Sequence, residues 1–319
     1  MENKFDLKFN ATYTSISKYV DSLYDGFIPS VVGKIRTLDF VTLVPDVAYT
    51  KVIPTVNTTL DLVDASSCTT FANGATAAIT GVTLTTCFKK AEESFCLNEM
   101  SQYWAGQYMR SGDYKSLPFE QSFVDEYAGK IAKKLDQIFW QGDSCVTGVA
   151  AGATAGGATW VGTQSFSTST AITNGIIYTF DNMINYLATA NSDMLSEDLV
   201  IAVGQDAFDV YTRSIRNLNL YHFSPDEING ASVKLFGKRN VTLFATVGLN
   251  GTNMAMLYKP EFVFWGTDIA PVDGKPIDGE YSFYLNKYLL RFQVKIGAAI
   301  AFPASAVVAT LVSSKNANV

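Results

Sequence analysis

Only one histidine, His222, occurs in the 319 residues. That scarcity excludes two-histidine metal sites and leaves little room for a Ser-His-Asp arrangement. His222 sits between Tyr221 and Phe223 in a polar turn, where an ordinary loop histidine is expected. Charge is scarce too: 17% of residues are charged and the net charge is −6. This argues against a basic reader of nucleic acid, though not against a shell that encloses one. Cysteine is limited to Cys68, Cys87, Cys96 and Cys145, with no C-x-x-C spacing. The expectation is four unpaired thiols in a reducing compartment, ahead of zinc or disulfides. No signal-peptide core follows Met1, and the longest apolar stretch, 297–312, contains Pro303 and Ser305. It is too short to cross a bilayer, so a soluble, cytoplasm-made chain without a membrane partner is expected. The sequons at Asn10, Asn57, Asn240 and Asn250 then read as chance matches.

Phosphate-binding motifs are also missing. There is no P-loop and no G-x-G-x-x-G, and the Gly-Ala stretch at 148–157 precedes neither a lysine nor a convincing helix. Ser15-Ile-Ser-Lys18 matches S-x-x-K, but its companion motifs are absent. Asp206 and Asp209 share a helix face, and Asp268, Asp273, Asp278 and Glu280 could meet across a loop. Either set could serve acid–base work or hold a hard cation, yet spacing alone marks them as solvated acids. Trp104, Trp140, Trp160 and Trp265 are scattered, as core or interface aromatics would be. No catalytic constellation emerges, and no cofactor or metal is expected.

What the sequence has in abundance is apolar side chains, 48% of the total, with mean hydropathy +0.12. Burial between copies in an oligomer is the simplest way to hide so much apolar surface. The clearest element is a helix over residues 118–141. Phe119, Phe123, Tyr127, Ile131, Leu135 and Phe139 recur every four residues, widened by Val124, Ala128 and Ile138. Asp125, Glu126, Lys130, Lys133, Lys134 and Gln137 form the opposite face. That is a helical period, with Pro118 suited to the first turn and Gly142 to the stop. At 1.5 Å per residue the rod is roughly 35 Å long, a scaffold rather than a catalytic loop.

Before this helix the chain alternates. Val52, Pro54, Val56, Thr58, Leu60 and Leu62 form one strand, and residues 79–90 return through Val82, Leu84, Thr86 and Phe88. A turn-rich tip, Asp64-Ala-Ser-Ser-Cys-Thr-Thr-Phe-Ala-Asn-Gly, joins them. Such a hairpin has too little to bury alone and needs a neighbour to lie on. A short helix is expected around Ile16, Tyr19, Val20 and Leu23, and a longer one over about 92–110 with Phe95, Met100, Tyr103, Trp104 and Tyr108 inward. Residues 146–162 read as a linker and 266–280 as a polar, turn-rich loop. Between them stand a helix at Ile176, Phe180, Met183, Ile184 and Leu187, and a strand at 199–203. A helix with Phe208, Tyr211, Ile215 and Leu218 follows, then a hairpin at 232–246 and a strand at 254–258. Leu290, Phe292, Val294 and Ile296 form the sharpest strand, after which Gly297 permits a bend. No internal repeat is present.

Two segments carry a family likeness: Ala132-Lys-Lys-Leu-Asp-Gln-Ile-Phe-Trp-Gln-Gly142 and Arg291-Phe-Gln-Val-Lys-Ile-Gly-Ala-Ala-Ile-Ala-Phe-Pro303. With the order of elements around them, the chain resembles the major capsid proteins of tailed bacteriophages, the HK97-like fold. The resemblance implies an α+β protein with an N-terminal arm (1–46) and an extended loop, or E-loop (47–95). It implies a peripheral domain (96–170 and 281–319) built on the 118–141 spine helix, and a mixed α/β axial domain (171–280). Intersubunit contacts are then expected from Lys51, Val56, Leu60, Phe71, Leu84 and Phe88 of the E-loop. The spine-helix core is expected to be Phe119, Phe123, Tyr127, Ile131, Leu135 and Phe139. Lys51 also lies where some members cross-link, but no partner is identifiable, so that chemistry is not assigned.

The implied function is structural and not enzymatic: pentamers and hexamers of an icosahedral virion shell, assembled in the host bacterial cytoplasm. The partners implied are further copies of the chain, a separate scaffolding protein, a portal, decoration proteins and packaged DNA without sequence-specific contacts. The alternatives are an encapsulin-like compartment, which would hold cargo protein, a hydrolase using the acids of 268–280, and an adhesin with an export route.

Overall fold

The computed structural model describes residues 31, 34–60, 75–96, 119–155, 159–160, 171–217, 228–229, 232–235, 237–238, 240–268, 277–282, 284–285 and 287–310. The segments expected to hold a helix near Ile16 and the hairpin tip at 64–74 lie outside them, as does His222. The architecture is mixed α+β, with a long helix shared by two sheets and a separate two-stranded hairpin.

The long helix α1 (Phe119–Gln141) follows the four-residue stripe. Tyr127, Ile131, Leu135 and Phe139 are buried, with Ala128 and Ile138 beside them. The side chains of Phe119 and Phe123 are outside the described residues. Lys130 and Glu126 pair at 3.0 Å on the wet face. Gly142 stops the helix at φ 78°, its N–H donating to the Ile138 carbonyl at 2.9 Å.

A five-stranded sheet is built around β13 (Lys287–Ile300), where Leu290, Phe292 and Ile296 are buried. One edge of β13 takes β4 (Cys87–Phe95). The other takes β12 (Ile277–Ser282) along its first half and β11 (Val263–Asp268) along its second. β1 (Thr42–Val44) adds to β11 in parallel. This pairing overrides three sequence expectations. Residues 92–95 are strand rather than helix, and 266–280 carries the end of one strand and the start of another. β13 also runs straight through Gly297. Ladder hydrogen bonds to β13 outweigh local propensity in each case.

A seven-stranded sheet has the order β5 (Thr159–Trp160), β14 (Val307–Thr310), β10 (Met254–Tyr258), β6 (Leu199–Val203), β9 (Val241–Ala245), β8 (Ser232–Lys234) and β7 (Ile228–Asn229). β6 is buried on both faces, which explains its unbroken apolar run. Val200 and Ala202 join the α1 core. Leu199, Ile201 and Val203 meet the buried residues of α3 (Ala171–Ala190) and α4 (Gln205–Asn217). The expected linker at 146–162 holds a helix instead, α2 (Val149–Ala155). Its alanines are good helix formers, and small side chains let it sit close to Ile300. The sheets also cut across a division at residue 281: β11 and β12 belong with β13, whereas β14 belongs with β10.

Candidate assembly surface

The hairpin consists of β2 (Thr50–Leu60) and β3 (Ala75–Thr85), paired in register from Thr50↔Thr85 to Leu60↔Ala75. Each strand has eleven residues, about 35 Å at the antiparallel rise. Among the described residues these strands pair only with each other. Side chains alternate, so Thr50, Val52, Pro54 and Val56 share one face with Thr85, Thr83, Gly81 and Ile79. Every one of these eight is exposed, and the apolar members are strongly so: Val52 62%, Val56 58% and Ile79 75%. Pro54 lacks a donor and is tolerated because β2 has a partner on one side only. Gly81 leaves room for Val52, whose Cγ1 would lie 2.6 Å from an added Cβ.

The opposite face is anchored at its root. Leu84 is fully buried with Val47 and Phe264, and Ile53 packs against that cluster. Gly266 accepts it closely, since a Cβ there would be 2.8 Å from Leu84 Cδ2. Thr86 closes the root by donating its N–H to the Tyr49 carbonyl and its hydroxyl to the Val47 carbonyl, each at 2.8 Å. A Cβ at Gly297 would collide with the Thr85 carbonyl, so the absent side chain lets β13 pass under the root. Lys295 donates to Asp268 at 2.8 Å and lies 4.9 Å from the Tyr49 ring centroid.

Just beyond the root, Cys87 and Cys145 form a disulfide with Cα atoms 6.2 Å apart. This corrects the expectation of four unpaired thiols. The two are separated by 58 residues, and Cys87 meets Cys145 from the first position of β4, which is paired with β13. Cys96 is free, and Cys68 lies outside the described residues. Lys89, two residues along β4 from Cys87, ion-pairs with Asp143. Partial burial opposes ionisation of Asp143. The bond from Lys89 and the backbone N–H groups of Val146 and Cys145 nevertheless bring its pKa down to about 2.

A second anchor ties the two sheets together through α1. Asp136 is buried, and its Oδ1 accepts from the Thr37 hydroxyl at 2.5 Å. Its Oδ2 accepts from the Thr246 hydroxyl at 2.5 Å and the Gly248 N–H at 2.6 Å. Trp140 Nε1 donates to Thr37 at 3.2 Å. Burial pushes the Asp136 carboxyl above its ordinary range, and the donors from Thr246, Thr37 and Gly248 restrain that rise. A Cβ at Gly248 would strike the Asp136 carbonyl and the Trp140 ring, so the 246–249 turn needs glycine there. Tyr258, also buried, is pushed well up by burial and then by the Asp136 charge.

The sequence-named contacts fare differently. Lys51 and Val56 are exposed on the hairpin, and Phe88 is exposed on β4. Leu60 ends β2 with its side chain outside the described residues, and Phe71 lies wholly outside them. Leu84 is withdrawn as an intersubunit contact, because the chain's own Val47 and Phe264 bury it. Val52, Pro54 and Ile79 are exposed on the same face as Val56 without having been named with it; the alternation through Val52, Pro54 and Val56 carries the first two, but Ile79 needs the register. Of the acids of 268–280, Asp268 is bound by Lys295 and Asp278 stands in register with Arg291 on β13, while Asp273 and the side chains of Asp278 and Glu280 lie outside the described residues. Asp209 accepts from Gln205 at 3.0 Å. No cluster of three metal-ligating side chains occurs among the described residues.

No protein-family model matches the chain, and no curated protein matches its sequence. Solved structures do match. The capsid of Myoviridae phage XM1 aligns with TM-score 0.56 and 10% identity, over 87% of this chain and 91% of that one. The satellite phage P4 procapsid aligns with TM-score 0.55 and 10% identity, over 89% and 97%. A virus-like particle from Pyrococcus furiosus gives TM-score 0.52 and 10% identity, over 91% and 99%. Identities this low speak to fold alone, and the agreement spans nearly the full length. With its hairpin, long helix and two sheets in this order, the chain has the HK97-like fold of phage major capsid proteins.

Proposed function

We propose that the chain is a major capsid protein, a structural subunit that assembles through its hairpin into pentamers and hexamers of an icosahedral phage head around double-stranded DNA. The observation that carries this reading is the hairpin face of Val52, Pro54, Val56 and Ile79, apolar and exposed on a strand pair that joins no other strand among the described residues. Burial of each such aliphatic side chain is worth roughly 1.5–3 kcal/mol, and closed symmetry repeats the gain at every subunit. In this reading the hairpin is the E-loop, lying across a neighbouring subunit. The helix α1 and the five-stranded sheet form the peripheral domain, and the seven-stranded sheet with α3 and α4 forms the axial domain. A net charge of −6 suits a wall that does not clamp the DNA it holds, since tight phosphate binding needs clustered Lys and Arg. A scaffolding protein, a portal and decoration proteins complete the head, which is assembled in the host cytoplasm and persists as the virion.

The test is negative-stain electron microscopy with light scattering on the expressed chain, alone and with its phage's scaffold. Rings, tubes or closed shells support the reading. A strictly monomeric chain under both conditions would count against it. Shells that copurify with a protein cargo instead of DNA would favour the compartment alternative.

A further inference from the structure

We infer that the Cys87–Cys145 pair is a site of oxidative modification, a staple that closes after the chain leaves a reducing compartment and fixes the hairpin root to the end of α1. The timing rests on the capsid reading, which assigns synthesis to a cytoplasm; the closure rests on geometry alone. Cys87 opens β4 immediately after Thr86, the residue whose two bonds close the hairpin root. Cys145 lies in the turn that follows α1. That turn is shaped without the bridge: Asp143 Oδ1 accepts the N–H groups of Cys145 at 2.9 Å and Val146 at 2.8 Å. It is also docked without the bridge, because Lys89 on the same face of β4 pairs with Asp143. These contacts involve neither sulfur, and they bring the two sulfurs face to face.

Exposure sets the order of the reaction. Cys145 is exposed and Cys87 is only 6% exposed, so a small disulfide reaches Cys145 first. The Cys145 thiol releases its proton to water, and the thiolate attacks one sulfur of a low-molecular-weight disulfide such as oxidised glutathione. One small thiolate leaves and takes up a proton. The Cys87 thiol then loses its proton, and its thiolate attacks the Cys145 sulfur of the mixed disulfide, expelling the second small thiolate. Two protein thiols lose two electrons and two protons, and one small disulfide becomes two small thiols. The bond joins residues 58 apart, so it opposes separation of the hairpin root from α1.

The experiment expresses the full chain in a bacterial cytoplasm, quenches half the cells with N-ethylmaleimide at lysis, and treats the other half with oxidised glutathione before peptide mapping. The expected result is reagent on both Cys87 and Cys145 in the quenched half. The oxidised half should contain an intrachain 87–145 cross-linked peptide, with Cys96 still open to reagent. Oxidation should also raise the unfolding temperature by about 5 °C, a gain reversed by dithiothreitol and absent in C145S. A bridge already complete in the quenched half, no 87–145 peptide after oxidation, or bridging without a thermal shift would each overturn the inference. Micrographs of the same samples separate the two claims: shells without bridging defeat only the staple, and bridging in a permanent monomer defeats only the shell.

Discussion

Asp136 is buried on α1 and carries an energetic load that the four-residue apolar stripe of that helix does not announce. A buried carboxylate is tolerated only because Thr37, Thr246 and Gly248 donate to it, and those donors come from two parts of the chain far from it in sequence, residue 37 and the 246–249 turn. Asp136→Ala leaves them facing a void and is expected to cost about 3–5 kcal/mol. Asp136→Asn keeps the volume but turns an amide donor toward donors, for about 1–3 kcal/mol. Urea unfolding at neutral pH checks both values. The pH dependence separates Asp136 from Asp143. The Asp143 carboxyl is brought down to about 2, so its stabilisation is present above about pH 4 and is lost as pH falls toward 2. Asp136 has the opposite sign. Its pKa is raised, so the folded state holds the proton more tightly, and stability falls as pH climbs from the ordinary carboxylate value through the raised one. Unfolding midpoints between about pH 2 and 7 should therefore flatten at the acid end in Asp143→Asn. In Asp136→Asn they should lose part of their decline on the alkaline side of the ordinary carboxylate value.

The hairpin shows how two alternating faces of one element take different tasks. Leu84 and Ile53 hold the root, and Val52, Val56 and Ile79 look outward. Leu84→Ala should destabilise the monomer by about 2–5 kcal/mol, because the space above Gly266 cannot collapse to fill it. Val52→Asp should leave the unfolding free energy from urea titration within about 0.5 kcal/mol of wild type, as exposed substitutions usually do. The sequence made the alternation legible but not which side faces home, since that is decided by Val47 and Phe264, far apart in the chain. The same limit explains the cysteines. The α1 stripe and the Leu290–Ile296 alternation are short-range periods readable from neighbours, whereas Cys87–Cys145 and the Asp136 donors depend on contacts 58 to 112 residues apart. Residues 92–95 and 266–268 were misread for a related reason: the partner that makes them strands is β13.

Taken together, one helix, α1, links the five-stranded and seven-stranded sheets, and the hairpin root is held against the first sheet by Leu84, Thr86 and the Cys87–Cys145 bridge. A chain built this way offers a long, firmly rooted strand pair whose outer face is exposed and joins no further strand among the described residues. The apolar balance of 48% fits a chain completed by copies of itself. The most direct measurement is the particle mass distribution, by mass photometry, of wild type beside a Val56→Asp/Ile79→Asp double variant, with unfolding temperatures taken on the same preparations. The account predicts capsomers or shells for wild type, and only monomers for the double variant at an unchanged unfolding temperature. Assembly by the folded double variant to the same mass as wild type would contradict it.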